Sequence, residues 1–313
     1  MSTQALPNLI ETIHPLSREE QPAVAALLAA TARHFASFDG AMPAAYEAMT
    51  EQTPMAPGVR AEEVTHGAVR GWWLHPANAP ADRAILFLHG GAYMLGSAHG
   101  YRGFASQVAV RAGVATFVLD YPLAPAHPFP AAVDAALAAR CWLAAQGIAE
   151  LALIGDSAGG ALALTCLGGD STPPIASAVV LSPWVDLSLS GASMTDPATH
   201  DPVFQQAVLA RAAATYLHGA DARDGRASPL FAVPEKLPPL AIQVGTDELL
   251  LDDARRYATA AVAGGGVVHL DIYEGLHHVF QRSTIELASA RQALDAAARF
   301  IGTHWTEARL RLP

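Results

Sequence analysis

Cysteine is nearly absent from this chain of 313 residues, which contains only two. Cys141 and Cys166 each lie in an alanine- and leucine-rich stretch that reads as buried helix, and neither has a CxxC neighbour. That usage argues for reduced intracellular thiols rather than a disulfide framework. Charge is sparse as well: charged residues make up 15% of the sequence, with 19 basic against 29 acidic and a formal net charge of −10. Polyanionic partners are therefore disfavoured, so neither nucleic acid nor a membrane surface is expected, and neutral small molecules remain as ligands. The N-terminus lacks a basic run ahead of an apolar one, and its longest apolar stretch, 22–30, follows Arg18, Glu19 and Glu20. Neither signal peptide nor transmembrane helix is expected, and a cytoplasmic location is. The 13 histidines are scattered without HExxH or Cys/His spacing, and G-x-G-x-x-G is missing. Accordingly no metal and no other cofactor is expected.

What the chain does have is apolar material, 51% of its residues, enough for a large core. Short runs rich in β-branched residues at 85–88, 114–119, 151–154, 178–181, 240–244 and 267–273 read as buried parallel strands. Helical patterns at 107–112, 131–146, 161–167, 253–263 and 285–301 supply the crossovers between most of them. Residues 64–74 add antiparallel strands at one edge. The expected class is α/β, with a mostly parallel central sheet flanked by helices. Two stretches break the alternation and read as a helical cap over the C-terminal edge of the sheet. They are an N-terminal cap segment, 1–57, with no obvious strand, and a cap insertion, 186–236. The core is then split into 58–185 and 237–313.

Gly155-Asp156-Ser157-Ala158-Gly159-Gly160 follows the strand at 151–154 and precedes a helical pattern, the context that a G-x-S-x-G nucleophile elbow requires. Small residues are needed there because the turn strains the serine backbone and passes close to its neighbours. An inert serine on an ordinary glycine-rich turn is the alternative. His89-Gly90-Gly91-Ala92-Tyr93 follows the strand at 85–88, and its backbone N–H groups suit an oxyanion hole built from Gly90, Gly91 and Ala158. His89 itself reads as holding the loop. A serine nucleophile needs a base, and the base needs a carboxylate to fix its tautomer. Both are available after later strands, in Gly245-Thr246-Asp247-Glu248 through Asp253 and in Glu274-Gly275-Leu276-His277-His278-Val279-Phe280. The order serine, acid, histidine is that of the α/β-hydrolase fold.

These motifs, together with Tyr121, Leu123-Ala124-Pro125, His127-Pro128-Phe129-Pro130 and Ser182-Pro183-Trp184, make the chain resemble the bacterial hormone-sensitive-lipase-like (family IV) esterases over roughly residues 60–300. The resemblance implies His278 as the base, three residues after Gly275 and two before Phe280, with His277 as its neighbour. The family's D-x-L-x-D acid pattern falls on Glu248, Leu250 and Asp252, so Glu248 is the expected acid and Asp247 the alternative. Asp252 and Asp253 read as capping or solvating the next helix, and Asp156 as structural. Ala92 stands where the family has a third glycine, and Pro122 and Ala126 replace its arginine and glutamate, leaving the loop without that ion pair. The implied activity is hydrolysis of short-to-medium-chain carboxylic esters through an acyl-enzyme on Ser157. Lactone or amide/formamide hydrolysis with the same triad is the alternative, and a non-catalytic small-molecule receptor is a remote one. The resemblance is compatible with a homodimer.

Overall fold

The computed structural model describes residues 8–168 and 172–310. Nine strands form one sheet: β1 (Leu9–His14), β2 (Arg60–His66), β3 (Val69–His75), β4 (Arg83–Leu88), β5 (Thr116–Leu119), β6 (Glu150–Asp156), β7 (Ile175–Leu181), β8 (Leu240–Asp247) and β9 (Val268–His277). Their order across the sheet is β1-β9-β8-β7-β6-β4-β5-β3-β2, and every neighbouring pair is parallel except the two made by β3. The central strands are apolar on both faces because helices cover both, and all seven residues of β6 are buried.

On one face lie α4 (Ala131–Ala145), α5 (Ala158–Thr165) and α7 (Leu251–Ala263), in a core with Leu86, Leu153, Val180 and Ile242. The other face carries α3 (Arg102–Ala112) and α8 (Ala288–Leu310), which pack on Ile85, Phe87, Ile154 and Val179. Alternate strand residues feed the two cores, as the two-residue period of a strand requires.

Three further helices stand apart from this layering. α1 (Gln21–Ser37) and α2 (Met42–Thr50) come from the N-terminal segment, and α6 (Gln206–Leu217) from the insertion after β7. α1 enters a small apolar cluster with Tyr273, Leu276 and Phe280, which brackets the segment after β9. One expectation is corrected here: the N-terminal segment does contain a strand. β1 pairs in parallel with β9 from Leu9↔Val268 to His14↔Tyr273. It is an edge strand with Ile10 and Ile13 about half exposed, so the alternation that marks a buried face is missing from its sequence. A second correction concerns α5, which starts at Ala158 rather than at 161. Gly159 and Gly160 lie inside its first turn, and at Gly159 a side chain would collide with the carbonyl oxygens of Leu88 and His89. No described helix is long and apolar enough to cross a membrane.

Candidate active site

The elbow between β6 and α5 puts Ser157 at φ 55°, ψ −121°, a conformation that side-chain-bearing residues rarely adopt. Its surroundings enforce it. A Cβ on Gly159 would run into the carbonyl oxygens of Leu88 and His89, and one on Gly155 into that of Gly159. Ser157 N–H donates to Leu181 O at 2.8 Å, and Ser157 O accepts from Trp184 N–H at 3.1 Å, so the serine is clamped to the end of β7 and the Ser182-Pro183-Trp184 segment. As the first residue of α5, Ala158 has an N–H with no intrahelical acceptor, pointing out of the helix N-terminus beside Ser157.

His278, just after β9, and Glu248, just after β8, lie side by side. His278 Nδ1 lies 2.8 Å from Glu248 Oε2, with the two side chains 4% and 0% exposed. An ionised carboxylate only accepts, so Nδ1 carries the proton and Nε2 is left as the acceptor, the tautomer a general base needs. The other oxygen of Glu248 accepts from Ser182 Oγ at 2.7 Å and from Gly245 N–H at 2.7 Å. These bonds hold the carboxylate in place after a register shift in the β8/β9 ladder between Gly245 and Asp247. Asp247, the alternative acid, sits opposite His277 in that ladder and accepts from Thr246 Oγ1 at 3.1 Å. His277 is buried, and burial, then Arg282 and His278, pull its pKa down to about 4, so it is neutral. Phe204, in the cap insertion, meets the His278 ring edge-to-face at 4.9 Å.

The expected oxyanion hole is only partly available. Gly90 N–H donates to Asp156 Oδ1 at 2.9 Å and is spent there, which removes Gly90 from the set. Gly91, Ala92 and Tyr93 follow with φ of 118°, 54° and 60°. Among the described residues no acceptor is found for the N–H of Gly91 or Ala92, so the loop's free donors lie one residue further along than expected. His89 does hold the loop: its Nδ1 lies 2.8 Å from Gly90 O, and its ring stacks on Tyr121 at 4.3 Å. Tyr121 Oη donates to His89 O at 2.6 Å, so the loop is pinned without the missing arginine and glutamate.

The carboxylates outside the Glu248–His278 pair are placed as follows in the structure. Asp156 is structural as expected, accepting from Gly90 N–H and from Tyr101 Oη at 3.0 Å. Asp253 does not solvate α7; its buried Oδ2 accepts from Val185 and Asp186 N–H at 2.9 and 3.0 Å. Asp252 accepts from Ser193 N–H at 2.8 Å, tying the insertion to α7. Ser182 opens the Ser182-Pro183-Trp184 motif, and only the fold brings its hydroxyl to Glu248.

Ser157, His278 and Glu248 thus lie just beyond the carboxyl ends of β6, β9 and β8, with the Gly91 loop beyond β4, where parallel sheets place their ligands. Residues 85–282 match the family model for the alpha/beta hydrolase fold. The chain belongs to the α/β-hydrolase fold family. Within that family its relatives are bacterial esterases of the hormone-sensitive-lipase type. An acetyl-hydrolase of Streptomyces hygroscopicus is 40% identical over 245 residues, 77% of this chain and 82% of that protein. The crystal structure of an esterase from the bacterial hormone-sensitive lipase family superposes with a TM-score of 0.85 at 35% identity, covering 90% of this chain and 98% of that one. EstE5, in a crystal soaked with p-nitrophenyl butyrate, gives 0.81 at 33% identity, covering 91% and 99%. Among the described residues of this α/β-hydrolase, no group of three or more His, Cys, Asp or Glu is placed to hold a metal ion.

Proposed function

We propose that this chain is a serine carboxylesterase that hydrolyses short-to-medium-chain esters through an acyl-enzyme on Ser157. Membership of the hormone-sensitive-lipase-like branch makes it a carboxylic-ester hydrolase. The observation that carries the finer reading is the Glu248–His278 hydrogen bond of 2.8 Å at the edge of the elbow that strains Ser157.

In this reading Ser157 Oγ attacks the ester carbonyl while His278 Nε2 takes its proton, and Glu248 stabilises the resulting imidazolium. Negative charge develops on the carbonyl oxygen, where the N–H groups of Gly91, Ala92 and Ala158 receive it. One such donor is worth roughly 3 to 4 kcal/mol in the transition state. His278 then gives its proton to the leaving alcohol, and water repeats the cycle on the acyl-enzyme. Phe204 packs edge-to-face on the His278 ring at 4.9 Å and so lies on the side from which the proton is returned to the leaving alcohol.

The test is a panel of p-nitrophenyl esters of increasing acyl length together with small lactones, run beside Ser157→Ala. Turnover of the acetyl to hexanoyl esters by the native enzyme, absent in the variant, is the expected result. A preference for lactones over every ester would replace the substrate class while keeping the triad.

A further inference from the structure

Four buried or half-buried side chains from distant parts of the chain meet behind the nucleophile. Tyr46 lies on α2 of the cap, Tyr101 precedes α3, Asp156 ends β6 next to Ser157, and Arg282 follows His278 by four residues. Tyr101 Oη lies 3.0 Å from Asp156 Oδ2, Tyr46 Oη lies 2.9 Å from Tyr101 Oη, and Arg282 Nη1 is 3.3 Å from both phenol oxygens.

Counting protons fixes the direction of every bond. A phenol has a single O–H to donate. Tyr101 spends its own on the carboxylate, which only accepts, so Tyr46 must donate to Tyr101. Arg282 only donates, and it gives to the phenol oxygens. Every bond therefore points toward the Asp156 anion: Tyr101 receives one donor from Tyr46 and one directly from the Arg282 cation, and each bond polarises the next. Burial raises the pKa of Asp156, and Arg282 heads the groups that oppose it, followed by the bonds from Tyr101 and Gly90. The second oxygen of Asp156 takes Gly90 N–H at 2.9 Å, and Gly90 leads directly into the donors of Gly91 and Ala92.

We propose that Tyr46 is a positioning residue for the oxyanion loop: the seated cap helix supplies the shorter of the two bonds that hold the Tyr101 hydroxyl on Asp156, and this relay fixes Gly90 and, through it, Gly91 and Ala92. This rests on the serine-esterase reading above. α2 has other anchors, since Ser97 Oγ donates to Glu47 and His34 Nε2 bonds Ala45 O at 2.8 Å, so the cap stays seated without the Tyr46 hydroxyl. Removing that one oxygen takes away the shorter of the two bonds to Tyr101, leaves only the 3.3 Å bond from Arg282, and keeps the packing of the ring.

The experiment compares Tyr46→Phe, Arg282→Lys, Arg282→Gln and the double variant Tyr46→Phe/Arg282→Gln in the p-nitrophenyl ester assay. It also measures inhibition by an alkyl trifluoromethyl ketone, whose adduct with a serine hydroxyl places an oxyanion in the hole. Tyr46→Phe is expected to lower kcat about tenfold with KM within about twofold, and to weaken the ketone by the same factor as kcat/KM. Arg282→Lys keeps a donor and a charge and is expected to retain most of the rate. The double variant removes both donors to Tyr101 and is expected to be slower than either single one. Should Arg282→Gln not fold, Tyr46→Phe alone decides. A Tyr46→Phe enzyme with kcat within about twofold of native, or with its loss confined to KM or to thermal stability, overturns the proposal. Ser157→Ala in the same assay separates the two levels: if it keeps turnover, the serine reading fails; if it is inactive while Tyr46→Phe is unchanged, only the relay does.

Discussion

Ser182 and Glu248 are 66 residues apart in the chain, yet the Ser182 hydroxyl sits 2.7 Å from Glu248 Oε1. The same hydroxyl oxygen accepts from Val279 N–H at 3.2 Å, the residue next to His278. One side chain therefore fixes both the carboxylate and the backbone that carries the imidazole. Ser182→Ala is expected to leave Glu248 and His278 present but loosely held, lowering kcat about tenfold with a smaller change in KM. Steady-state kinetics on a butyrate ester, with circular dichroism as a folding control, check this.

Glu248 accepts three hydrogen bonds and is fully buried, whereas Asp247 is only partly buried and bonded to its neighbour Thr246. Glu248→Gln keeps the shape but removes the charge beside His278 Nδ1, and its amide can present N–H to that nitrogen and favour the wrong tautomer. A loss of roughly 10² to 10⁴ in kcat is expected. Asp247→Asn should cost less than about tenfold. The reverse ranking in folded variants would assign the role to Asp247.

His277 adds an acid-sensitive contribution to stability. Its folded pKa, about 4, lies below its ordinary 6.5, so the unfolded chain takes up a proton in this window and the folded one does not. The contribution is complete above pH 6.5 and is lost as pH falls through 4, on the order of 3 kcal/mol over the whole range. Chemical denaturation at pH 7 and pH 4.5 should show a smaller drop in stability for His277→Gln than for the native protein. An equal drop would place the acid sensitivity elsewhere.

Gly159 tests the packing of the elbow. Adding a methyl group there drives it into the carbonyl oxygens of β4 and of His89, and neither is free to move because both belong to the sheet and the pinned loop. Gly159→Ala is expected to cost roughly 3 kcal/mol or more of stability, read as a lower denaturation midpoint. A midpoint equal to native would mean that the elbow yields more easily than its contacts imply.

The parts of the fold that could be read from sequence are those where one residue pattern has one physical meaning. Apolar runs such as 151–154 and 240–244 became buried parallel strands because helices cover both faces. The family's acid pattern, matched on Glu248-x-Leu250-x-Asp252, implied the residue that bonds His278, because a motif carries over along one segment of chain. What stayed hidden depends on segments meeting. β1 shows no buried face of its own and is ordered by pairing with β9. Gly90 looks in sequence like a free donor, and only the approach of Asp156 reveals that its N–H is occupied. Ser182, Tyr46 and Arg282 are unremarkable polar residues until the fold brings them to Glu248 and Asp156.

The most direct test of the serine mechanism is to react the enzyme with a p-nitrophenyl alkylphosphonate, count the nitrophenol released per chain, and locate the adduct by peptide mass spectrometry. A serine that attacks with His278 as its base should release about one equivalent as activity disappears, with the phosphonyl mass on the peptide containing Ser157 and no labelling of Ser157→Ala. Full labelling at another residue, or esterase activity that survives complete labelling of Ser157, would contradict the account.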